Sequence, residues 1–265
     1  MELNLKGKKA LVTGSNSGIG EGIAKCLAME GAVVIIHGRN KKELQRVVND
    51  ITNAGGEAYF IEGDLRNDVD VIKIHDFTLK TLTQLDILVN NAGIFPKKGW
   101  LQSSPDEWLD IFNVNVVSMV RMIQAFLPQM KTLGWGRIIQ IASVAGISPS
   151  PDLPAYGATK AANINMTISL AKELAGTGIT VNTVSPGPIA TKGTENLFME
   201  VAMEKNWGTE WKTIEKKITQ QMLPNLAGRF GTIEEVGKLV TFLASPEADY
   251  ITAANFRIDG GRLVH

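Results

Sequence analysis

Short apolar runs alternate with amphipathic segments along most of this chain. The run Gly31–His37 has no polar alternation, which is typical of a strand buried on both faces of a sheet. Repetition of such strands with helices predicts an α/β fold built on a parallel sheet. We interpret as strands the runs at residues 9–13, 31–37, 57–62, 85–89, 136–142, 179–184 and 254–258. The predicted helices cover residues 18–30, 41–53, 69–82, 105–131, 156–174 and 232–244.

Three glycines follow the first predicted strand. Gly14, Gly18 and Gly20 stand between that strand and an amphipathic helix. Glycine lets the backbone approach a phosphate closely, and a helix N-terminus offers free N–H groups and the positive end of the helix dipole. The spacing G-x-x-x-G-x-G differs from the common dinucleotide fingerprint G-x-G-x-x-G. Taken alone, the pattern fits a glycine-rich structural turn equally well.

Arg39 ends the second predicted strand, about 20 residues after the last glycine of the turn. An acid at this place binds the ribose 2′-hydroxyl of NAD, whereas an arginine accommodates the 2′-phosphate of NADP. Lys41 and Lys42 follow, and basic residues at a helix N-terminus oppose the helix dipole. We therefore interpret Arg39 as a cofactor residue that favours NADP(H), in preference to an ordinary solvated helix start.

Polar residues also follow the third and fourth strands. Asp64 either caps the next helix or meets an adenine edge, and the sequence leaves both readings open. Asn90 and Asn91 follow a buried strand, where their amides can bridge backbone groups. Ligands bind at this carboxyl edge in open parallel sheets.

Tyr156 and Lys160 lie four residues apart at the start of a predicted helix, and therefore on one helix face. A cation about 4 Å from a phenol, at an effective dielectric constant near 20, favours the phenolate by roughly 4 kcal/mol. The pair would then lower the tyrosine pKa toward the range that proton transfer requires. An isolated Y-x-x-x-K is far more often an ordinary helix surface.

Two further polar residues can join this pair. Ser143 ends the fifth strand, so it can converge with Tyr156 at one edge of the sheet although a proline-rich loop separates them. Asn115 lies in the apolar stretch of a helix, where asparagine is a poor helix former. It is either a core residue with its hydrogen bonds satisfied or a functional residue that binds water.

Residues 192–225 break the alternation of strand and helix. Their apolar stripe is more often a core or subunit contact, but after the sixth strand it can also close over a site and select substrates. The large apolar residues of this segment are Phe198, Met199, Met203, Trp207, Trp211 and Met222.

The composition limits the partners and the compartment. Basic and acidic residues number 27 each, which argues against nucleic acid as the main partner. Cys26 is the single cysteine, so no internal disulfide is expected and a reducing compartment, the cytoplasm, fits best. His37, His75 and His265 show no ligand spacing, and we expect no catalytic metal. We also expect no signal peptide and no run as long as a membrane span.

Together the motifs resemble the short-chain dehydrogenase/reductase family along essentially the whole chain. The resemblance rests on the glycine turn after Thr13, on Asn90–Gly93 and on Pro186-Gly187 with Thr191. It also rests on four residues that stand where the family has its catalytic tetrad: Asn115, Ser143, Tyr156 and Lys160. It implies a single Rossmann-type, doubly wound parallel sheet of about seven strands in the order 3-2-1-4-5-6-7, with helices on both faces. Residues 1–265 would form one domain, with 192–225 as a helical substrate segment.

The resemblance also implies roles for individual residues. Tyr156 would be the general acid in reduction and the base in oxidation, and Ser143 would orient the substrate carbonyl. Lys160 would hold the nicotinamide ribose and lower the tyrosine pKa, while Asn115 would anchor a water. The implied cofactor residues are Gly14, Ser15, Asn16, Ser17, Gly18, Ile19, Gly20, Arg39, Asp64, Leu65, Asn91, Ala92, Gly93, Tyr156, Lys160, Pro186, Gly187, Ile189 and Thr191.

The implied activity is hydride transfer between a nicotinamide and a small-molecule carbonyl or secondary alcohol, with NADP(H) preferred and NAD(H) as the alternative. A 3-oxoacyl thioester is one candidate substrate; a sugar, a steroid or a small ketone is another. A non-catalytic NAD(P) sensor of the same fold is the alternative function. The family further implies a homotetramer or homodimer packed through the helices near 105–131 and 156–174. Ser118 and Ala253 stand where the family usually has glycine.

Overall fold

A computed structural model describes residues 2–262, so Met1 and residues 263–265, His265 included, lie outside the described part. Seven parallel strands form one sheet in the order β3-β2-β1-β4-β5-β6-β7, which confirms the predicted strand order. The strands are β1 (Lys9–Val12), β2 (Val33–Gly38), β3 (Glu57–Glu62), β4 (Ile87–Asn90), β5 (Gly136–Ile141), β6 (Ile179–Pro186) and β7 (Asn255–Ile258).

Helices connect these strands and cover both faces of the sheet. They are α1 (Gly18–Met29), α2 (Lys41–Asn53), α3 (Asp68–Leu82), α4 (Pro105–Phe112), α5 (Ser118–Leu133), α6 (Pro154–Glu173), α7 (Lys192–Glu204), α8 (Trp211–Gln221) and α9 (Ile233–Ala244). Short 3₁₀ turns lie at Val144–Gly146 and Pro246–Ala248.

The two faces of the sheet carry separate apolar cores because successive strand residues point to opposite sides. In β5, Ile139 and Ile141 belong to the core that includes residues of α1, α2 and α9, while Ile138 belongs to the core on the other face, with residues of α3, α5 and α6. A strand that is buried on both faces has no alternation of polar and apolar residues, so these strands could be recognised in the sequence as continuous apolar runs.

The predicted helix at residues 105–131 is continuous but not uniform. Ser104 and Glu107 form a capping box at its start, and a π-helical turn at Asn113–Val117 separates α4 from α5. The whole element, Pro105–Leu133, contains a window with a mean hydropathy of 1.3, long and apolar enough for a membrane span by length and composition alone. The sequence expectation of no such run was wrong on this measure. Residues such as Met122 and Phe126 are fully buried against the sheet, so core packing accounts for the apolarity.

Residues 192–225 form α7 and α8, which pack around a small core of their own. Ala202, Ile214, Ile218 and Phe230 are buried there, and the Phe230 ring contacts the rings of Phe198 and Trp211 edge to face. Part of the predicted apolar stripe therefore packs in a core, which was one of the two interpretations from the sequence.

Candidate active site

The carboxyl ends of the parallel strands open onto a cavity of about 1380 Å³. Most of the expected site residues line it: Gly14, Asn16, Ser17, Gly18, Ile19, Gly20, Arg39, Asp64, Leu65, Asn91, Ala92, Gly93, Ser143, Tyr156, Lys160, Gly187, Ile189 and Thr191. Three expected residues do not, namely Ser15, Asn115 and Pro186. Pro186 is a buried strand residue in register with Ile258.

The glycine turn places the N-terminus of α1 next to the N-terminus of α7. Gly18 starts α1 with a φ of 58°, and a side chain added there would meet only Thr191 at 3.6 Å. Thr191 in turn caps α7, because its hydroxyl accepts a hydrogen bond from the Thr194 N–H at 3.1 Å. Gly20 allows close packing, since a Cβ there would lie 2.4 Å from the Gly14 carbonyl oxygen. Two helix N-termini that face one groove favour an anion between them.

Ser15 and His37 support this turn from below. The Ser15 N–H donates to the His37 carbonyl at 2.8 Å, so Ser15 has no backbone donor left for a phosphate. His37 is buried, its Nδ1 accepts from the Gly14 N–H at 3.3 Å, and its Nε2 lies 3.2 Å from the Gly63 carbonyl. Burial lowers the pKa of His37 to about 4, so the ring is neutral at pH 7. Sequence patterns assigned His37 no role, because only the fold brings the segments of Gly14, His37 and Gly63 together.

Asp64, Arg66 and Arg39 line the same cavity, and Arg39 is close enough to Asp64 for its charge to act on the carboxyl group. Asp64 pairs with Arg66 at 2.7 Å, and the guanidinium lowers the pKa of the carboxyl. Asn67, not Asp64, is the N-cap residue of α3, which removes one of the two readings of Asp64. Arg39 is exposed and lines the cavity, whereas its basic neighbours at 41 and 42 do not.

Asn91 ties β4 to the glycine turn. Its side-chain amide donates to the Thr13 carbonyl at 2.8 Å and to the Gly14 carbonyl at 3.1 Å. The Thr13 hydroxyl accepts from the Asn91 and Ala92 N–H groups at 2.9 and 3.0 Å. The Asn91 amide therefore bridges backbone groups at the sheet edge, as predicted. For Asn90 the prediction was wrong, because this last residue of β4 is buried and its amide has no hydrogen bond to a described residue.

Tyr156 lies in the first turn of α6 and is partly buried. Its phenol hydrogen-bonds to the Ser143 hydroxyl, and Ser143 also accepts from the Ala145 N–H at 3.1 Å. Burial raises the pKa of Tyr156, while the bond to Ser143 partly opposes that rise. The sequence expectation, a pKa lowered by the neighbouring lysine, was wrong in direction for the protein without ligands.

The reason lies in the position of Lys160. Its ammonium donates to the Ile141 carbonyl at 2.8 Å and stands 5.6 Å from the centroid of the Tyr156 ring. Lys160 is fully enclosed, and burial lowers its own pKa to about 8. Helix spacing places the two residues on one face, as predicted, but the lysine side chain extends past the phenol toward β5.

Asn115 lies in the π-helical turn and is fully buried. Its amide oxygen accepts from the Ile94 N–H, its nitrogen donates to the Ile94 carbonyl, both at 2.8 Å, and the same nitrogen reaches the Thr159 hydroxyl at 3.1 Å. The side chain is therefore satisfied by protein groups. It holds the loop after β4 against the residue that precedes Lys160.

Apolar side chains from α7, from the segment after α8 and from the loops at Phe95 and Leu153 line part of the cavity. Phe95 meets the Tyr156 ring edge to face, with centroids 6.2 Å apart. The other apolar lining residues include Leu153, Leu197, Phe198, Val201, Met222 and Leu223. The segment 192–225 thus contributes to the cavity wall as well as to its own core.

A family model described as short chain dehydrogenase matches residues 8–202 of this chain. The chain belongs to the short-chain dehydrogenase/reductase family. This short-chain dehydrogenase/reductase is 38% identical to the uncharacterized oxidoreductase YvaG of Bacillus subtilis over 98% of both chains. It is 37% identical to the 3-oxoacyl-(acyl-carrier-protein) reductase FabG of Aquifex aeolicus, over 98% of this chain and 99% of the relative.

Solved structures of two other reductases match this short-chain dehydrogenase/reductase over nearly their full length. L-Sorbose reductase of Gluconobacter frateurii, complexed with NADPH and L-sorbose, superimposes with a TM-score of 0.94, 29% identity and complete coverage of both chains. A 3-oxoacyl (acyl-carrier-protein) reductase of Agrobacterium tumefaciens with NADP bound gives a TM-score of 0.87 at 32% identity, over 98% of this chain and 96% of that one.

Proposed function

We propose that this protein is an NADP(H)-dependent reductase of a small-molecule ketone, with Tyr156 as the general acid. One observation carries the proposal. The Tyr156 phenol, bonded to the Ser143 hydroxyl and with the buried Lys160 one helical turn away, lines the same cavity as the glycine turn. A proton donor and an anion cradle in one cavity are what carbonyl reduction by a phosphate-bearing nicotinamide cofactor requires.

The residues of the cavity fit such a cofactor. The facing N-termini of α1 and α7 suit the pyrophosphate, Arg39 suits the 2′-phosphate, and Lys160 suits the nicotinamide ribose. When bound, the cofactor supplies the hydride that adds to the carbonyl carbon. The NADPH and NADP of the two solved reductases support the choice of NADP(H) over NAD(H).

The chain's own groups supply orientation and the proton. Because burial raises the pKa of Tyr156, its phenol is protonated at neutral pH and can donate to the developing alkoxide. Ser143 holds the carbonyl oxygen next to that phenol. Lys160, with a pKa of about 8, is mostly protonated at pH 7 and can sustain the positive potential that favours this transfer.

For the substrate, a 3-oxoacyl thioester is the first candidate. The reductase relatives of that class and the apolar wall formed by Leu197, Phe198 and Val201 support it. A keto sugar is the second candidate, supported by the full-length match to L-sorbose reductase. We also place the enzyme in the cytoplasm as one domain of residues 1–265 that assembles into a homodimer or homotetramer.

The test is oxidation of NADPH, and of NADH in parallel, with acetoacetyl thioesters, keto sugars and simple ketones. We expect turnover of at least one carbonyl with NADPH, and its loss in Tyr156→Phe while NADPH binding measured by fluorescence persists. Tight NADPH binding without turnover of any carbonyl, and no effect of Tyr156→Phe, would instead support the non-catalytic sensor.

A further inference from the structure

The turn that follows β7 forms part of the wall of the same cavity. The Gly187 N–H donates to the Ile258 carbonyl at 2.9 Å, and a Cβ at Gly187 would lie 2.8 Å from the Asp259 Cα. On its other side the turn is held by the Ala227 N–H, which donates to the Gly260 carbonyl at 2.9 Å. Residues 259–262 are therefore wedged between the end of β6 and the segment after α8.

Arg262 projects from this turn into the cavity that also contains Tyr156 and Ser143. Its Nη1 is buried and makes no hydrogen bond to any described residue. Burial lowers the pKa of Arg262, but an arginine keeps its charge at neutral pH. A buried guanidinium nitrogen without a partner is costly, because its lost hydration is not replaced.

The neighbouring acid does not neutralise this nitrogen through a hydrogen bond. Asp259 Oδ1 accepts from the Gly261 N–H at 3.0 Å, and its Oδ2 is buried without a hydrogen bond to residues 2–262. Met222, Leu223, Lys97 and Asp152 line the same cavity, and Asp259 is the acid whose charge acts on the guanidinium. Arg262 is thus a cation of the cavity wall whose neighbouring acid, Asp259, leaves Nη1 without a hydrogen bond.

We propose that Arg262 binds an anionic group of the substrate, a carboxylate or a phosphate, so that the enzyme reduces ketones that carry an acid. The inference rests on the proposed ketone reduction and names the substrate class for that site. A planar guanidinium pairs with either oxyanion through two parallel hydrogen bonds, and the burial of Nη1 strengthens such a pair. A ligand of this kind supplies the hydrogen-bond partner that Nη1 does not find within residues 2–262.

The test compares matched ketones with and without the charge. Oxo acids of increasing chain length are assayed against their methyl esters, and dihydroxyacetone phosphate against dihydroxyacetone, each with saturating NADPH. We expect the wild type to prefer the charged member by at least 10-fold in kcat/KM, mainly through KM. In Arg262→Gln this preference falls at least 10-fold, and Arg262→Lys retains part of it. The carboxylate and phosphate series show which acid is used.

Lys97→Gln, at an exposed cation on the same cavity, is the matched control and should change the preference less than 3-fold. A wild type that reduces esters and neutral ketones equally well, or a preference that survives in Arg262→Gln, overturns the role of Arg262 but leaves the reductase intact. If no ketone is turned over, the proposed function fails. Calorimetry with hydroxy acids and their esters then still tests Arg262, since equal affinities in wild type and Arg262→Gln refute it. Urea denaturation of each variant checks the fold.

Discussion

Replacing Lys160 by methionine should make the ligand-free protein more stable at pH 7 while it abolishes efficient turnover. The cause is the burial of the ammonium, which lowers the Lys160 pKa from 10.5 to about 8. At about 1.4 kcal/mol per pKa unit, the charged lysine costs the folded state roughly 3 kcal/mol at pH 7. Methionine fills a similar volume without charge. It loses the hydrogen bond to the Ile141 carbonyl, worth about 1 kcal/mol, so the net gain is about 2 kcal/mol.

The lowered pKa of Lys160 determines how the stability of the wild type changes with pH. Between pH 8 and 10.5 the unfolded chain still holds the lysine proton, whereas the folded chain has released it. Raising the pH therefore stabilises the wild type in this window, and the cost of the buried charge disappears near pH 10.5. The stability difference between Lys160→Met and the wild type should therefore change from a gain of about 2 kcal/mol at pH 7 to a loss of up to about 1 kcal/mol near pH 10.5, where only the lost hydrogen bond remains.

Urea denaturation of the ligand-free proteins at pH 7, 9 and 10, followed by circular dichroism, measures this difference. Groups common to both proteins cancel when the variant is compared with the wild type at each pH. Lys172→Met, at an exposed lysine on the same helix, is the control and should change stability by less than about 0.5 kcal/mol. A Lys160→Met protein that is less stable at pH 7, or a difference that does not vary with pH, would refute the reasoning. NADPH affinity and turnover should both fall in this variant.

Three further predictions concern the cofactor end and the backbone. Arg39→Ala should weaken NADPH binding at least 10-fold and NADH binding little, as measured by fluorescence titration; equal losses would exclude a 2′-phosphate contact. Acidification from pH 6.5 to 4 should lower the free energy of unfolding by about 3 kcal/mol, because His37 in the unfolded chain binds a proton at a higher pH than the buried ring does. His37→Asn should remove that acid sensitivity in urea denaturation, and an unchanged pH profile would contradict the buried neutral ring. Ala253 has a φ of 60°, so Ala253→Gly should raise stability by about 1 kcal/mol, whereas Ala54→Gly, at a φ of −84°, should give no gain; thermal unfolding decides.

Ala253 is a departure from the family pattern with a visible effect on the backbone. Glycine is usual at this position in the family, and the backbone conformation explains why. The residue lies in the left-handed region, and its N–H must reach the Val181 carbonyl at 2.8 Å. Ser118, the other departure, is accommodated differently, because its hydroxyl donates to the Val114 carbonyl at 2.6 Å inside the long helix.

The order of strands and helices could be predicted from the sequence because it depends on local patterns. A run such as Val33–Gly38 is apolar on both faces, and the glycine turn and the caps at Asn40, Ser104 and Thr232 act within a few residues. Asn91, Tyr156 and Lys160 could be found in the same way, since a strand end or a helical spacing brings them to the sheet edge.

Burial and long-range contacts decided the rest. The sequence placed Lys160 beside Tyr156, but only the fold turned its ammonium to the Ile141 carbonyl and raised the tyrosine pKa instead of lowering it. Likewise, only the packing of the last turn against β6 brought Arg262 into the cavity, more than a hundred residues from Tyr156. Local patterns set which elements form, because backbone hydrogen bonds and side-chain periodicity act over short range. The charge state of a site depends on how much water the assembled elements exclude, and that is set by tertiary structure alone.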